Sequence, residues 1–572
     1  MPKTSRRTVI TAFAAAAVAP LTGAAAAPAR AVAARPPQTV TVAGSTAAAP
    51  AFAGAGTSVT LTADDAAAFA SLSLGTLTAT TLAGSPARTE ISHAGSRVAV
   101  LTTGARTVVL PGPERVFREN KKAFADDFAR TTTDGWGNAP AGGSWSHVNG
   151  PDTDYEVTGG AGVVTLSSAN LSRHVSLRDD DIADVDVRSE AHFDAAPVGA
   201  ALSYALSFGY QDTKNHYRAR LSFAAQGAVE LRLEKEEKDT VTLLCPAVTL
   251  VSSGAATASW TIRVRREGTR LQARAWRSGT AEPAAWTVQA TDTTFATGRV
   301  GIRAVAPTGS TNLPVRLLVT AFAVDAAVWS DPPTVTHRDW VRVLPAPFDG
   351  NWTEAMEERI RAWAGSTAPD VLAHASMFLT GAPQVRSAAL GAPVLGQAGY
   401  GPLVTDGTRR EGADFHEYMG LAWKFPDGTS APAPSVQWHN NLDCSGYVRM
   451  VYGHHMGVPL TAKEDTTGTV LPRRARDMAA HAPGVGIAHE EAQAPALTGI
   501  QTGDLVLFDA DTGDGTAVDH VGIHIGTDQH GNRRFLSSRK TSNGPTMADL
   551  GGPSVLDGTG LYARTLRTVH RI

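Results

Sequence analysis

The 572-residue chain has only two cysteines, Cys245 and Cys444, and nine lysines among its 51 basic residues. Two cysteines exclude a disulfide framework and a cysteine-rich zinc site. The formal net charge of −3 offers no basic surface, so a nucleic-acid partner is not expected. No segment approaches the roughly 20 consecutive apolar residues of a membrane helix. Charged residues make up 18% and hydrophobic residues 43%, which excludes a disordered chain. The length suits roughly three or four domains. The preference for arginine over lysine, with abundant alanine, reads as GC-rich coding rather than as a physical requirement.

The N-terminus carries Lys3, Arg6 and Arg7 ahead of an Ala-rich apolar run from Val9 to about Val18. Pro20 and a small-residue stretch follow, with Ala29-Arg-Ala31 as a cleavage site. This three-part layout is that of a signal peptide over residues 1–35. Ser5-Arg-Arg-Thr-Val-Ile10 is similar to a twin-arginine export motif, the alternative being an ordinary secretory signal with adjacent arginines. The signal holds no cysteine, so no lipid anchor is expected. The mature chain is expected outside the cytoplasm, secreted or held on the wall.

Residues 38–118 read as a small β module, with alternating runs such as Arg97-Val-Ala-Val-Leu101. Residues 119–328 read as a larger all-β region. Tyr217, Ala219, Leu221 and Phe223 alternate with Arg218, Arg220 and Ser222, and turns at Gly227 and Gly268 separate further alternating runs. Each strand should have one buried and one wet face, which implies a sandwich. Cys245, in an apolar strand, should be packing. Phe128-Ala-Arg-Thr131, Asp134-Gly-Trp-Gly137 and Gly298-Arg-Val-Gly-Ile-Arg-Ala304 resemble concanavalin-like sandwiches appended to bacterial wall enzymes. That resemblance implies sugar or wall-polymer binding; the alternative is a spacer. Residues 329–349, with Asp331-Pro-Pro and Pro345-Ala-Pro347, read as a linker. Residues 350–572 then turn helical. A capping box is expected at Asn351-x-x-Glu354, with Met356, Ile360 and Trp363 on one face, and a second helix over 370–378.

The chemistry lies in Asn440-Asn-Leu-Asp-Cys-Ser-Gly-Tyr-Val-Arg-Met-Val-Tyr452. Asp443 suits an N-cap, Tyr447, Val448, Val451 and Tyr452 form an apolar helical face, and Gly453 and Gly457 should break the helix. Cys444 would sit at the helix N-terminus, where free N–H groups and the dipole favour a thiolate. The amides of Cys444 and Ser445 would face a developing oxyanion. Gly503-Asp-Leu-Val-Leu-Phe508 and His520-Val-Gly-Ile-His-Ile-Gly526 read as strands.

Asp-Cys-Ser-Gly, Gly-Asp-Leu-Val-x-Phe and His-Val-Gly-Ile-x-Ile-Gly in this order resemble the NlpC-type cell-wall cysteine peptidases. The resemblance implies a papain-like α+β catalytic domain, which, behind the concanavalin-like all-β sandwich, makes the chain multidomain. It implies Cys444 as nucleophile, His520 as base, and acyl transfer through a thioester. The family's third polar residue, which orients the base, falls on Ser537, with Asn532, Arg539 or water as alternatives. Trp423, in Gly420-Leu-Ala-Trp-Lys-Phe425, occupies the slot of a tyrosine at the oxyanion site; the alternative is core packing. Asp443 and Ser445 complete the immediate surroundings of the nucleophile. His524 is a second-choice base, Asp519 should point away from His520, and His454-His455 should lie in a surface loop. Asp509-x-Asp511-x-x-Asp514 misses the EF-hand pattern. No metal and no cofactor are implied.

The expected activity is cleavage of a stem-peptide amide in peptidoglycan, of the γ-D-Glu-to-diamino-acid type, by a monomer without membrane anchor. An amidase or acyltransferase using the same dyad, and a non-catalytic wall-binding protein, are the alternatives.

Overall fold

A computed structural model describes residues 74–572 except 120, 141–142, 179–181, 330, 365, 405–408, 464–467, 512, 514 and 550–551, with backbone alone at 121–123, 325–326 and 329. Backbone is also described for strands Val40–Val42, Ser45–Ala47 and Thr60–Leu61. The signal peptide expected at 1–35 lies outside the described residues. Among the described residues no helix is long and apolar enough to cross a membrane.

The alternating segments of the middle region form two stacked antiparallel sheets of nine and eight strands. Tyr217, Ala219, Leu221, Phe223, Leu231, Ile262 and Leu271 point inward and are fully buried in one core. Cys245 packs against that core. The opposite face is less wet than alternation suggests. Arg218 is 3% exposed, because Glu234 and Glu236 on the next strand bind its guanidinium. The expected sandwich is therefore present, with ion pairs covering part of the outer face of the nine-stranded sheet.

The expected linker is not one. Thr334–Val343, within 329–349, is a strand that pairs with Thr107–Arg118 and completes the six-stranded sheet of the N-terminal module. Arg118 is paired with Thr334, and the sandwich's first and last strands, Lys121–Asp126 and Val315–Trp329, are also paired. The sandwich is thus inserted between two neighbouring strands of one sheet. Pro332, Pro333, Pro345 and Pro347 flank the strand without interrupting it, which is why the segment reads as a linker.

The N-terminal sheet is welded to the C-terminal half. Arg115 forks onto Asp370 at 2.8 and 2.6 Å, both side chains fully buried. Asp370 also accepts from Val341 N and caps helix Val371–Ser376 through Ala373 N. Phe117, Val335, Trp340 and Val341 share one apolar core with Cys444, Tyr447 and Ile523. Removing one partner of such a buried pair costs about 3–5 kcal/mol. A fragment starting at residue 350 is expected not to fold, whereas excising 121–329 should leave a chain with one cooperative thermal transition. Cooperative unfolding of the 350–572 fragment alone would contradict this arrangement.

The C-terminal half is α+β. Its antiparallel sheet runs in the order Val485–His489, Leu566–Arg571, Leu505–Phe508, His520–Thr527, Arg533–Arg539, Gly544–Thr546. Helix Cys444–Val448 packs on the two strands His520–Thr527 and Arg533–Arg539 and continues as a π-helical turn, Arg449–His455. Gly453 does not break it: a Cβ there would strike the Leu460 side chain at 2.4 Å, so that glycine serves close packing. Gly457, at φ +77°, follows the end of the π-helical turn. Helix Glu354–Ala364 is capped by Thr353, whose Oγ1 accepts from Met356 N, rather than by Asn351. Its Ile360 is buried and Met356 and Trp363 are partly buried, as the periodicity requires.

Candidate active site

Asp443 starts the central helix as its N-cap: Oδ1 accepts from Gly446 N at 2.7 Å. Its Oδ2 accepts from Gly412 N and from the Arg473 guanidinium, which also donates to Ser445 Oγ. Ser445 Oγ donates in turn to Asp443 Oδ1. These two residues therefore brace the helix start, and the Ser445 hydroxyl is spent on that task. Gly446 is required by contact, since a Cβ would meet the Ala413 carbonyl O at 2.1 Å. A second buried pair, Asp414 with Arg449 at 2.9 and 3.0 Å, ties the capped helix Phe415–Met419 to the same turn.

Cys444, 6% exposed, is the first residue of this helix. The ladder between His520–Thr527 and Arg533–Arg539 ends at Ile523 and Leu536, and beyond it Arg533–Arg539 pairs with Gly544–Thr546. The helix start reaches the unpaired edge this leaves. The thiol lies 3.7 Å from the Asp519 carbonyl O and is hydrogen-bonded by the Val521 backbone N–H, so it is bracketed by the residues on either side of His520. It opens into a cleft of about 370 Å³ whose lining includes Tyr400, Glu411, Arg473, Arg474, Arg476 and Asp519.

His520 lies in the same strand, but its ring packs between Phe508 and Tyr562, at centroid distances of 6.0 and 5.4 Å. Nε2 is sealed from solvent without a hydrogen-bond partner. Among the described residues no hydrogen bond joins the imidazole to the thiol. Free enzymes often hold such pairs apart until substrate enters. Burial first, and the Arg539 guanidinium second, pull the His520 pKa down to about 3. Burial, then the Asp443 carboxylate, push the Cys444 thiol well above the ordinary thiol value. The thiolate expected from the helix N-terminus is thus overridden, because desolvation and an adjacent carboxylate outweigh one short helix end. The resting pair is neutral.

Two expected neighbours are placed elsewhere. Ser537 is fully buried and its Oγ accepts from Arg539 Nε at 3.2 Å, not from His520. Trp423 packs edge-on against Phe415 and His454 in the core. Tyr400, by contrast, lines the cleft together with Cys444. Burial, then the nearby Cys444, Asp443 and Glu411, raise its pKa strongly, and the phenol stays protonated with its hydroxyl hydrogen-bonded to the Glu411 carboxylate. Tyr400 is flanked by Gly399 and Gly401, each needed for backbone approach to Asn441 and Arg410, which was the available signal. His524 is not in this cleft; its Nδ1 is bonded to the Gln501 carbonyl. Asp519 carries its carboxylate away to Ala510 N and Asp511 N. His454 and His455 belong to the π-helical turn, with His455 stacked on His374 at 4.3 Å, and not to a surface loop. Among the described residues no cluster of His, Cys, Asp or Glu is suited to a metal.

Comparison with solved structures gives low similarity. A carbohydrate-binding module, CBM66, from Bacillus subtilis is 15% identical over 31% of this chain and 91% of that one, with a TM-score of 0.22. A β-1,3-glucanase from Mycobacterium marinum is 12% identical over 35% and 97%, TM-score 0.26. The CBM2 module of the evolved Dit of Lactobacillus casei BL23 phage J-1 is 11% identical over 36% and 98%, TM-score 0.27. A comparison with curated proteins found no match. Residues 427–555, which hold Cys444, His520 and Ser537, match the NlpC/P60 family, a match that supports a cell-wall cysteine peptidase or hydrolase in the C-terminal half.

Proposed function

We propose that the chain is an exported peptidoglycan hydrolase that cuts a stem-peptide amide, of the γ-D-Glu-to-diamino-acid type, through Cys444 and His520. The observation that carries the reading is the Cys444 thiol opening a helix in a cleft, bracketed by the backbone of residues 519 and 521 with Tyr400 beside it. Substrate entry brings thiol and imidazole together. His520 takes the thiol proton as sulfur attacks the amide carbonyl carbon. The amides of Cys444 and Ser445, not used inside the helix, and the Tyr400 hydroxyl face the oxyanion. The C–N bond breaks as the imidazolium returns the proton to the leaving amine. Water, deprotonated by His520, then hydrolyses the thioester to a carboxylate and the free thiol. Export rests on Lys3, Arg6, Arg7 and the apolar run behind them, and the sandwich would hold the enzyme on wall polymer as a monomer.

Tyr400→Phe removes one oxyanion donor and should lower kcat about a hundredfold with little change in KM. The reading itself is tested with a soluble L-Ala-γ-D-Glu-diamino-acid peptide. The native chain should release a new amine from the diamino acid, and failure to release it refutes this substrate.

A further inference from the structure

We propose that the outer face of the eight-stranded sheet carries a glycan-binding pocket built on Trp276. This deepens the wall-polymer reading above, on which the identity of the glycan rests. Register places Ala321, Glu190, Thr261 and Trp276 in one cross-strand row, and Ala323, Arg188, Arg263 and Arg274 in the next. These residues face away from the sandwich core, since Val187, Ala191, Ile262 and Ala275 alternate with them and fill it. A pocket of about 370 Å³ opens over the first row and reaches Arg188 and Ala323.

The neighbouring part of this face is closed by its own charges. Asp186 binds Arg263 and Arg265, each at 2.7 Å, Glu282 binds Arg263 and Arg274, and the Arg274 guanidinium covers the ring of Trp286 at 4.3 Å. Trp276 differs: it is half-buried, and no ring or cation covers it among the described residues. Beside it, Glu190 lines the pocket and is held by Ser259 Oγ, which donates to Oε1 at 3.1 Å. The two alanines keep the floor low.

An uncovered indole, a carboxylate held at one oxygen and a floor of small side chains suit a pyranose. Its C–H face stacks on the indole and its hydroxyl or acetamido N–H groups donate to Glu190. The row spans three inter-strand gaps, about 14 Å, which is more than one sugar ring needs. The ligand class is therefore an oligomeric glycan rather than a single sugar.

The test uses the full chain carrying Cys444→Ala, so that binding is read without hydrolysis, and peptide-free glycan strands prepared from peptidoglycan. Trp276→Ala should weaken binding about tenfold and Trp276→Phe much less, because a smaller ring still stacks. Glu190→Gln should weaken it severalfold. Trp276→Ala binding as tightly as its parent overturns the proposal, as does binding of whole wall with none of the glycan strands. Binding of starch but not of glycan strands overturns the wall-glycan assignment. An unchanged unfolding midpoint for Trp276→Phe, together with loss of the fluorescence quench that soluble strands cause, separates this site from a folding defect. In the chain with Cys444 intact, Trp276→Ala should cut the soluble stem peptide at the native rate; if neither chain cuts it, the peptidase reading fails while the binding result stands.

Discussion

Under the proposed mechanism, replacing Cys444 by alanine should lower hydrolysis of a soluble stem peptide by roughly a millionfold, to background, because that mechanism loses its nucleophile. Cys245→Ala should leave the rate unchanged, since that thiol packs at the sandwich core, outside the cleft. The Cys444→Ala chain should stay folded: Asp443 still caps the helix and Arg473 still braces it. The resting thiol is protonated and 6% exposed, so alkylation near neutral pH should be slow and should not distinguish Cys444 sharply from Cys245, whose pKa burial also raises. A fast, selective alkylation of the free enzyme would contradict the neutral pair.

Thermal stability should fall steeply as pH drops below about 6. Burial pulls His337 and His374 down to about 4 and His455 and His520 down to about 3. All four lie in the C-terminal half or in the strand that joins it to the N-terminal sheet. Unfolded, they titrate near 6.5. Above that pH neither state binds the proton, and the groups leave stability unchanged. Between about 6.5 and 4 the unfolded chain binds protons that the native chain refuses, so each pH unit favours unfolding up to tenfold per imidazole. Four together approach ten-thousandfold per unit, against a typical stability of 5–15 kcal/mol. Glu119 and Glu417, which burial raises to about 7, take up native-state protons over the same range and offset up to a hundredfold of it. The depressed carboxylates Asp370 and Asp414 act in the same direction but lower down: their contribution is present above the unfolded carboxylate pKa and is lost as pH falls through their native values. A midpoint temperature that stays level from pH 7.5 to 4.5 would contradict the burial of neutral imidazoles.

The local patterns in the sequence were physically explicit where one element decided them. The alternation around Tyr217 and Val229 places the sandwich core, and Asp443 before Cys444 places the helix start. What alternation could not reveal was pairing between distant strands. Thr334–Val343 returns to Thr107–Arg118 across the whole inserted sandwich, and no local periodicity records that register. The residues near the thiol divide in the same way. Cys444 and His520 stand in ordered motifs, whereas Tyr400 enters the cleft from well upstream through a loop that two glycines allow to approach. For Ser537 and Trp423 the sequence offers only their position relative to the motifs. Arg539 captures the first, and Phe415 and His454 enclose the second. The thiolate that a helix N-terminus favours is absent for an energetic reason: burial and the Asp443 carboxylate, neither legible in the local motif's spacing, oppose it.

The measurement that bears most directly on the dyad is a rapid acid quench of the native chain turning over the stem peptide, followed by peptide mass mapping. Acyl addition on the peptide containing Cys444, absent in His520→Ala, is the expected result. Unmodified Cys444 during turnover, or hydrolysis that survives Cys444→Ala, would contradict the mechanism.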